Sequence, residues 1–246
     1  MLAQQILETV LWVVPATLEA VIVAVMLARG LYRKLPYFFS YVAYDALNTV
    51  SLSALKKHPA AYFYGYWYGE LLSWVLILVV IYEIYANLLK EYAVLQKIGV
   101  FLFWIMSIVL SLIALWTAFN TSGSGSFRFV QTVLTMERSM RIVQAGLLLA
   151  LFVFASFFGL SWKNYLFGIA LGFAVFVCVE LAIVAVRIYG GHPLIVLYRW
   201  FKPASYNLGA LVWTFYVVKQ GVSDLRFLPR TELAAWNDTL QELLHR

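Results

Sequence analysis

The chain has 246 residues, 63% of them hydrophobic and 12% charged, with a net charge of +6. A soluble domain has about a quarter of its residues charged, so this composition excludes an ordinary water-soluble enzyme or binding domain. The basic excess records topology rather than affinity for nucleic acid, and the expected partner is the lipid bilayer.

Seven apolar stretches follow one another, and helices are the form that lets about 20 apolar residues cross lipid with every backbone group paired. Met1 to Gln5 lacks the basic region of a cleavable signal, and Ile6–Ala28 is too long for a signal core. It is taken as the first span, with Pro15 placed to kink it. Pro36–Leu55 is the second span and Ala60–Leu89 the third, with Pro36 and Pro59 at first-turn positions where a missing N–H costs nothing. Tyr92–Ala118 is the fourth, and Asn120–Ser126 is expected to be a flexible loop before the fifth, Phe129–Phe158. Trp162–Tyr189 is the sixth. Pro193–Phe201, apolar but interrupted by Arg199, is expected to lie flat on the surface before the seventh, Ala204–Val218. In the tail, Thr231 can cap a helix whose Leu233, Trp236, Leu240, Leu243 and Leu244 share one face, as in helices that lie on a membrane surface. The fold class is therefore all-α: a polytopic seven-transmembrane-helix domain over 1–220, and a tail over 221–246 with an amphipathic surface helix at 231–246.

Short-loop Lys and Arg residues orient the bundle. With the N-terminus outside, ten of them, Arg29 to Arg246, fall on the cytoplasmic side and six, Lys56 to Lys202, on the outer side; Arg138 and Arg141 lie within the fifth span. The expectation is N-out and C-in, in the inner (cytoplasmic) membrane, with multiple passes.

Charge in hydrocarbon is expensive and usually kept for function. At about 1.5 Å per residue, Glu19 and Asp45 come out roughly 15 Å from their basic anchors Arg29 and Lys34, near the midplane. Asn48 lies one turn above Asp45, and Asn207 reaches a similar level. Glu180, Glu70 and Arg141 fall in the outer part, and Glu137 and Arg138 further out. Glu83 alone sits on the inner side. These groups should turn inward and pair, with Glu70 or Glu180 meeting Arg141, around a polar cavity open to the outside. The fourth span carries no charge beyond Lys97 and is expected to face lipid or a partner. The same polar residues can also simply hold a bundle together. The run Tyr62 to Tyr68 fits an interfacial aromatic belt, or a stacking surface for a flat ligand or pigment.

Several chemistries are missing. His58, His192 and His245 fall in loops or the tail, leaving no haem or metal site within the helices, and no internal lysine is expected in the seventh span, so no cofactor is assigned. No nucleophile elbow, zinc-protease motif or phosphate-cradling loop is present. Cys178 is the one cysteine, so no disulfide forms within the chain.

Seven spans and a tail helix resemble the architecture of G-protein-coupled receptors and rhodopsins, without their motifs: the third span ends in Glu83-Ile84-Tyr85-Ala86-Asn87, and the seventh has Tyr206-Asn207-Leu208-Gly209 with no Asn-Pro. The combination Tyr64-Gly65-Tyr66-Trp67, Tyr82-Glu83-Ile84, Glu137-Arg138-Ser139 and Leu160-Ser161-Trp162 is similar to that of a group of uncharacterised bacterial seven-helix membrane proteins, a resemblance that implies no particular activity.

The function expected is a sensor-like or binding subunit for a small molecule or ion, signalling through a protein partner at the cytoplasmic loops and tail. The candidate ligand-binding residues are Glu19, Asp45, Asn48, Glu70, Arg141, Glu180 and Asn207, with Arg141 as anion anchor or ion-pair partner. The alternatives are a small secondary transporter or proton-coupled channel using Glu19 and Asp45, and a structural subunit of a larger membrane complex.

Overall fold

A computed structural model of the chain describes residues 2–88, 90, 93–119, 126–157, 165–190 and 195–219. Among them are seven α-helices, a 3₁₀ turn at Leu31–Arg33, and no strand. The helices are α1 (Leu2–Ala28), α2 (Pro36–Leu55), α3 (Pro59–Leu88), α4 (Ala93–Phe119), α5 (Ser126–Phe157), α6 (Tyr165–Gly190) and α7 (Ile195–Lys219). Four of them, α3 to α6, are long and apolar enough to cross a membrane, which makes this a membrane-protein composition. The tail at 221–246, its helix at 231–246 and most of the Asn120–Ser126 loop lie outside the described residues.

Local chemistry sets the boundaries. Gly30 (φ 67°) ends α1 in the left-handed conformation that a residue without Cβ adopts freely. Pro36 opens α2 at its first turn. The backbone N–H groups of Tyr37 and Phe38, which have no partner inside the helix, donate to the two carboxylate oxygens of Glu83 at 3.0 and 2.9 Å. Glu83 therefore caps α2 from α3.

One expectation is corrected. Residues 195–201 are not a separate surface segment; they are the first turns of α7, which runs on through Pro203. Lys202 is thereby inside a helix rather than in a loop beside it.

Each helix packs on the next, and α7 packs on α1, so the helices close a ring; α3 reaches across it to α5 and α6. Glycines let α6 and α7 approach closely: a Cβ on Gly172 would overlap the Trp213 indole, and one on Gly209 would lie 3.0 Å from the Gly172 carbonyl oxygen. The buried core includes Ile22, Met26, Ile77, Ile81, Leu147 and Leu151, together with an aromatic cluster of Phe38, Tyr41, Phe173 and Trp213. The outward face of α4 is the opposite: Phe101, Leu112 and Trp116 are exposed, as the absence of charge there suggested.

Candidate functional site

Two stripes of side chains build one cavity. On α2, Tyr41, Asp45, Asn48, Thr49 and Leu52 recur at helical spacing; on α3, Tyr62, Tyr66, Glu70, Ser73 and Ile77 do the same. Leu11 and Pro15 of α1, Arg141 of α5, Phe176 of α6, and Trp200, Lys202, Pro203 and Tyr206 of α7 complete a cavity of about 450 Å³. The two stripes run in opposite chain directions, so the cavity extends from Tyr41 and Ile77 toward Leu52 and Tyr62, where α2 ends and α3 begins. The dense aromatic run is thereby divided: Tyr62 and Tyr66 line the cavity, while Phe63, Tyr64 and Tyr68 face outward.

Along one wall runs a ladder of alternating charges. Arg141 Nε lies 3.0 Å from Glu180 Oε2, and its Nη2 lies 3.9 Å from Glu70 Oε2. Arg141 and Glu180 are 2% and 3% exposed, so the pair is shielded from water. Arg141 also donates to Gln144 Oε1 (3.1 Å), and Gln144 Nε2 in turn donates to the Trp74 carbonyl (3.3 Å); the Arg141 guanidinium lies 4.7 Å from the Phe176 ring centroid. Lys202 Nζ continues the ladder, 3.3 Å from Glu70, 3.2 Å from Glu137 and 3.3 Å from the Tyr66 hydroxyl. Glu70 and Glu180 both meet Arg141, as expected of them, while Glu137, expected further out, joins the ladder through Lys202. Arg141 has the geometry of an ion-pair partner, lying between the carboxylates of Glu180 and Glu70 with one guanidinium nitrogen donating to Gln144.

A second polar group lies on α1, α2 and α7. Tyr206 donates to Glu19 Oε1 at 2.5 Å. Asp45 neighbours Glu19, Tyr206 and Ser73. Glu19 is fully buried, and its Oε2 has no hydrogen-bond partner among the described residues. No cation of the described residues pairs with Glu19 or Asp45.

Of the seven candidates, Asp45, Asn48, Glu70 and Arg141 line the cavity. Glu19 and Glu180 stand behind the wall, each touching a residue of the cavity lining. Asn48 packs its amide on Gly69, where an added Cβ would come within 2.8 Å. Asn207 has a different task. Pro15 lacks the N–H that would bond the Leu11 carbonyl one turn earlier, and Asn207 Nδ2 reaches that oxygen from α7 at 3.4 Å. A neighbouring side chain thus takes up the carbonyl released by a proline.

Lys202 and Glu137 were not among the expected site residues. Lysines near span ends mark topology, so counting them places Lys202 in an outer loop ahead of the expected seventh span, Ala204–Val218. The spacing of Lys202 and Tyr206, one helical turn apart, was the available signal. Glu137 is 5% exposed and paired, not out at the surface. His58 lies in the turn before α3; His192 and His245 are outside the described residues. Comparison with protein-family models, curated proteins and solved structures finds no match for this chain.

Proposed function

We propose that the chain is a seven-span protein of the inner (cytoplasmic) membrane, N-out and C-in, that binds a small molecule or ion in a cavity open to the outside and acts through a protein partner. The cytoplasmic excess of Lys and Arg supports this orientation, and moving Lys202 out of the loops into α7 makes the excess larger. The observation that carries the reading is the 450 Å³ cavity, of the size that small-molecule sites have, with Asp45, Glu70, Arg141 and Lys202 on its wall. In the proposed orientation the end near Leu52 and Tyr62 faces out. The tail would carry the contact to the partner on the inner side.

A transporter using Glu19 and Asp45 is the weaker reading. Below Tyr41 the buried aromatic cluster of Phe38, Phe173 and Trp213 fills the core, and Glu83, the one buried acid of the described residues on the inner side, is committed to the first turn of α2. Neither feature provides an onward path. A subunit of a larger complex would use the apolar face of α4.

Cysteine accessibility tests the binding reading. In a Cys178→Ser background, Thr49→Cys should be labelled by a membrane-impermeant maleimide in intact cells, and Lys34→Cys only after lysis. Labelling in the reverse pattern overturns the orientation. Failure of Thr49→Cys to react even in lysed cells means that water does not reach the cavity, and the reading falls.

A further inference from the structure

Resting on that reading, we propose that the cavity takes a small organic cation, an ammonium group carrying short hydrocarbon arms, with Asp45 as its counter-charge.

Charge bookkeeping comes first. Among the described residues, the cavity wall and the side chains directly behind it bring together five acids, Glu19, Asp45, Glu70, Glu137 and Glu180, and two bases, Arg141 and Lys202. Both bases are occupied: Arg141 by Glu180 and Glu70, Lys202 by Glu70 and Glu137. An incoming anion would have to compete with three carboxylates for them. On the facing wall Asp45 and Glu19 meet no cation of the described residues. Even with one proton held between them, the pair presents a negative charge, and Asp45 is the member that lines the cavity. The unbalanced charge offered to a ligand is therefore negative.

The lining selects among cations. Six of its eighteen residues are aromatic: Tyr41, Tyr62, Tyr66, Phe176, Trp200 and Tyr206. Ring faces attract ammonium and guanidinium groups, more strongly where water is excluded. The protein's own cations already use this chemistry, Arg141 over Phe176 at 4.7 Å and Lys202 over Tyr66 at 5.9 Å. A bare metal ion fits poorly, because among the described residues no three Asp, Glu, His or Cys side chains are grouped to hold one. A cavity of 450 Å³ also leaves room for the alkyl arms that a metal ion lacks. Asn48, Thr49 and Ser73 stand on the same wall as hydrogen-bonding groups that can orient a polar arm.

The test uses the full-length chain in zwitterionic nanodiscs and three probes of one shape: choline, the neutral 3,3-dimethylbutan-1-ol and the anionic 3,3-dimethylbutyrate. Calorimetric titration should show saturable choline binding, at least tenfold tighter than the neutral isostere, with the anion weaker still. Asp45→Asn should weaken choline at least tenfold, and Trp200→Leu by three- to tenfold. Equal binding of choline and its neutral isostere would overturn the cation assignment while leaving a small-molecule cavity in place. Tighter binding of the anion, or loss of choline binding in equimolar sodium chloride but not in potassium chloride, would also overturn it. If none of the three probes binds although Thr49→Cys is labelled, the small-molecule reading fails along with this one. The comparison of isosteres needs only the unaltered protein, so an Asp45→Asn protein that does not fold leaves the test intact.

Discussion

Breaking the Arg141–Glu180 pair from one side should be far more harmful than removing both partners. At 3.0 Å and an effective dielectric of about 20, two unit charges attract by about 5–6 kcal/mol. Both side chains are nearly inaccessible, so a large desolvation cost offsets most of that attraction, and deleting one partner strands the other charge. Losses from such deletions are about 3–5 kcal/mol. Glu180→Leu leaves Arg141 with only the more distant Glu70, 3.9 Å away, and falls in this range. Arg141→Leu strands Glu180 completely, whereas Glu70 retains Lys202. The double replacement Arg141→Leu with Glu180→Leu removes both charges and should restore most of the loss, because apolar side chains can substitute for a buried ion pair with little or no penalty. In thermal unfolding of the detergent-purified protein, each single change should lower Tm by about 6–20 °C, at roughly 2–4 °C per kcal/mol for a chain of this size. The double variant should recover at least half of that shift. Single changes costing less than about 1 kcal/mol, or effects that simply add in the double variant, would show that the two charges are not coupled, and the ladder would lose its central rung.

Three further outcomes follow from other contacts. Glu83→Ala should cost about 1–2 kcal/mol by uncapping α2, while Glu83→Gln, which keeps one acceptor oxygen, should recover part of it in the same unfolding assay. Gly172→Leu should prevent α6 and α7 from closing on Trp213, at about 1–3 kcal/mol or more for overpacking, read as loss of monodisperse protein on size exclusion. Asn207→Leu should cost about 0.5–2 kcal/mol, the range of side-chain hydrogen bonds between membrane helices. Pro15→Ala, which restores the missing N–H, should rescue it; an Asn207→Leu loss unaffected by Pro15→Ala would separate the two residues.

The helices were legible because lipid leaves few choices. Pro36 and the basic pair Lys56 and Lys57 bracket α2, and the span drawn there coincides with the observed helix. The start of α7 was not legible, since Arg199, Lys202 and Pro203 look like loop residues until the partners of Lys202 are known. Depth alone brought Glu70, Glu180 and Arg141 to one level, and they do meet there. Depth gives no azimuth, however. Which of Asp45 and Glu19 faces the cavity, and that Asn207 serves a backbone carbonyl, depend on rotation about each helix axis, which the flat hydrophobicity of these spans leaves open.

Three polar groups in and just after α1 find their partners on α7: the Leu11 carbonyl on Asn207, Glu19 on Tyr206, and Arg29, whose Nη1 donates to the Val217 carbonyl at 2.9 Å. During synthesis the first helix emerges well before the last. In the proposed seven-span arrangement it must therefore wait with an acid and an orphaned carbonyl unsatisfied until nearly two hundred more residues have been made. Biogenesis of this ring is consequently gated by its final helix, and a nascent chain arrested after α6 should be a quality-control substrate however well its other helices have inserted.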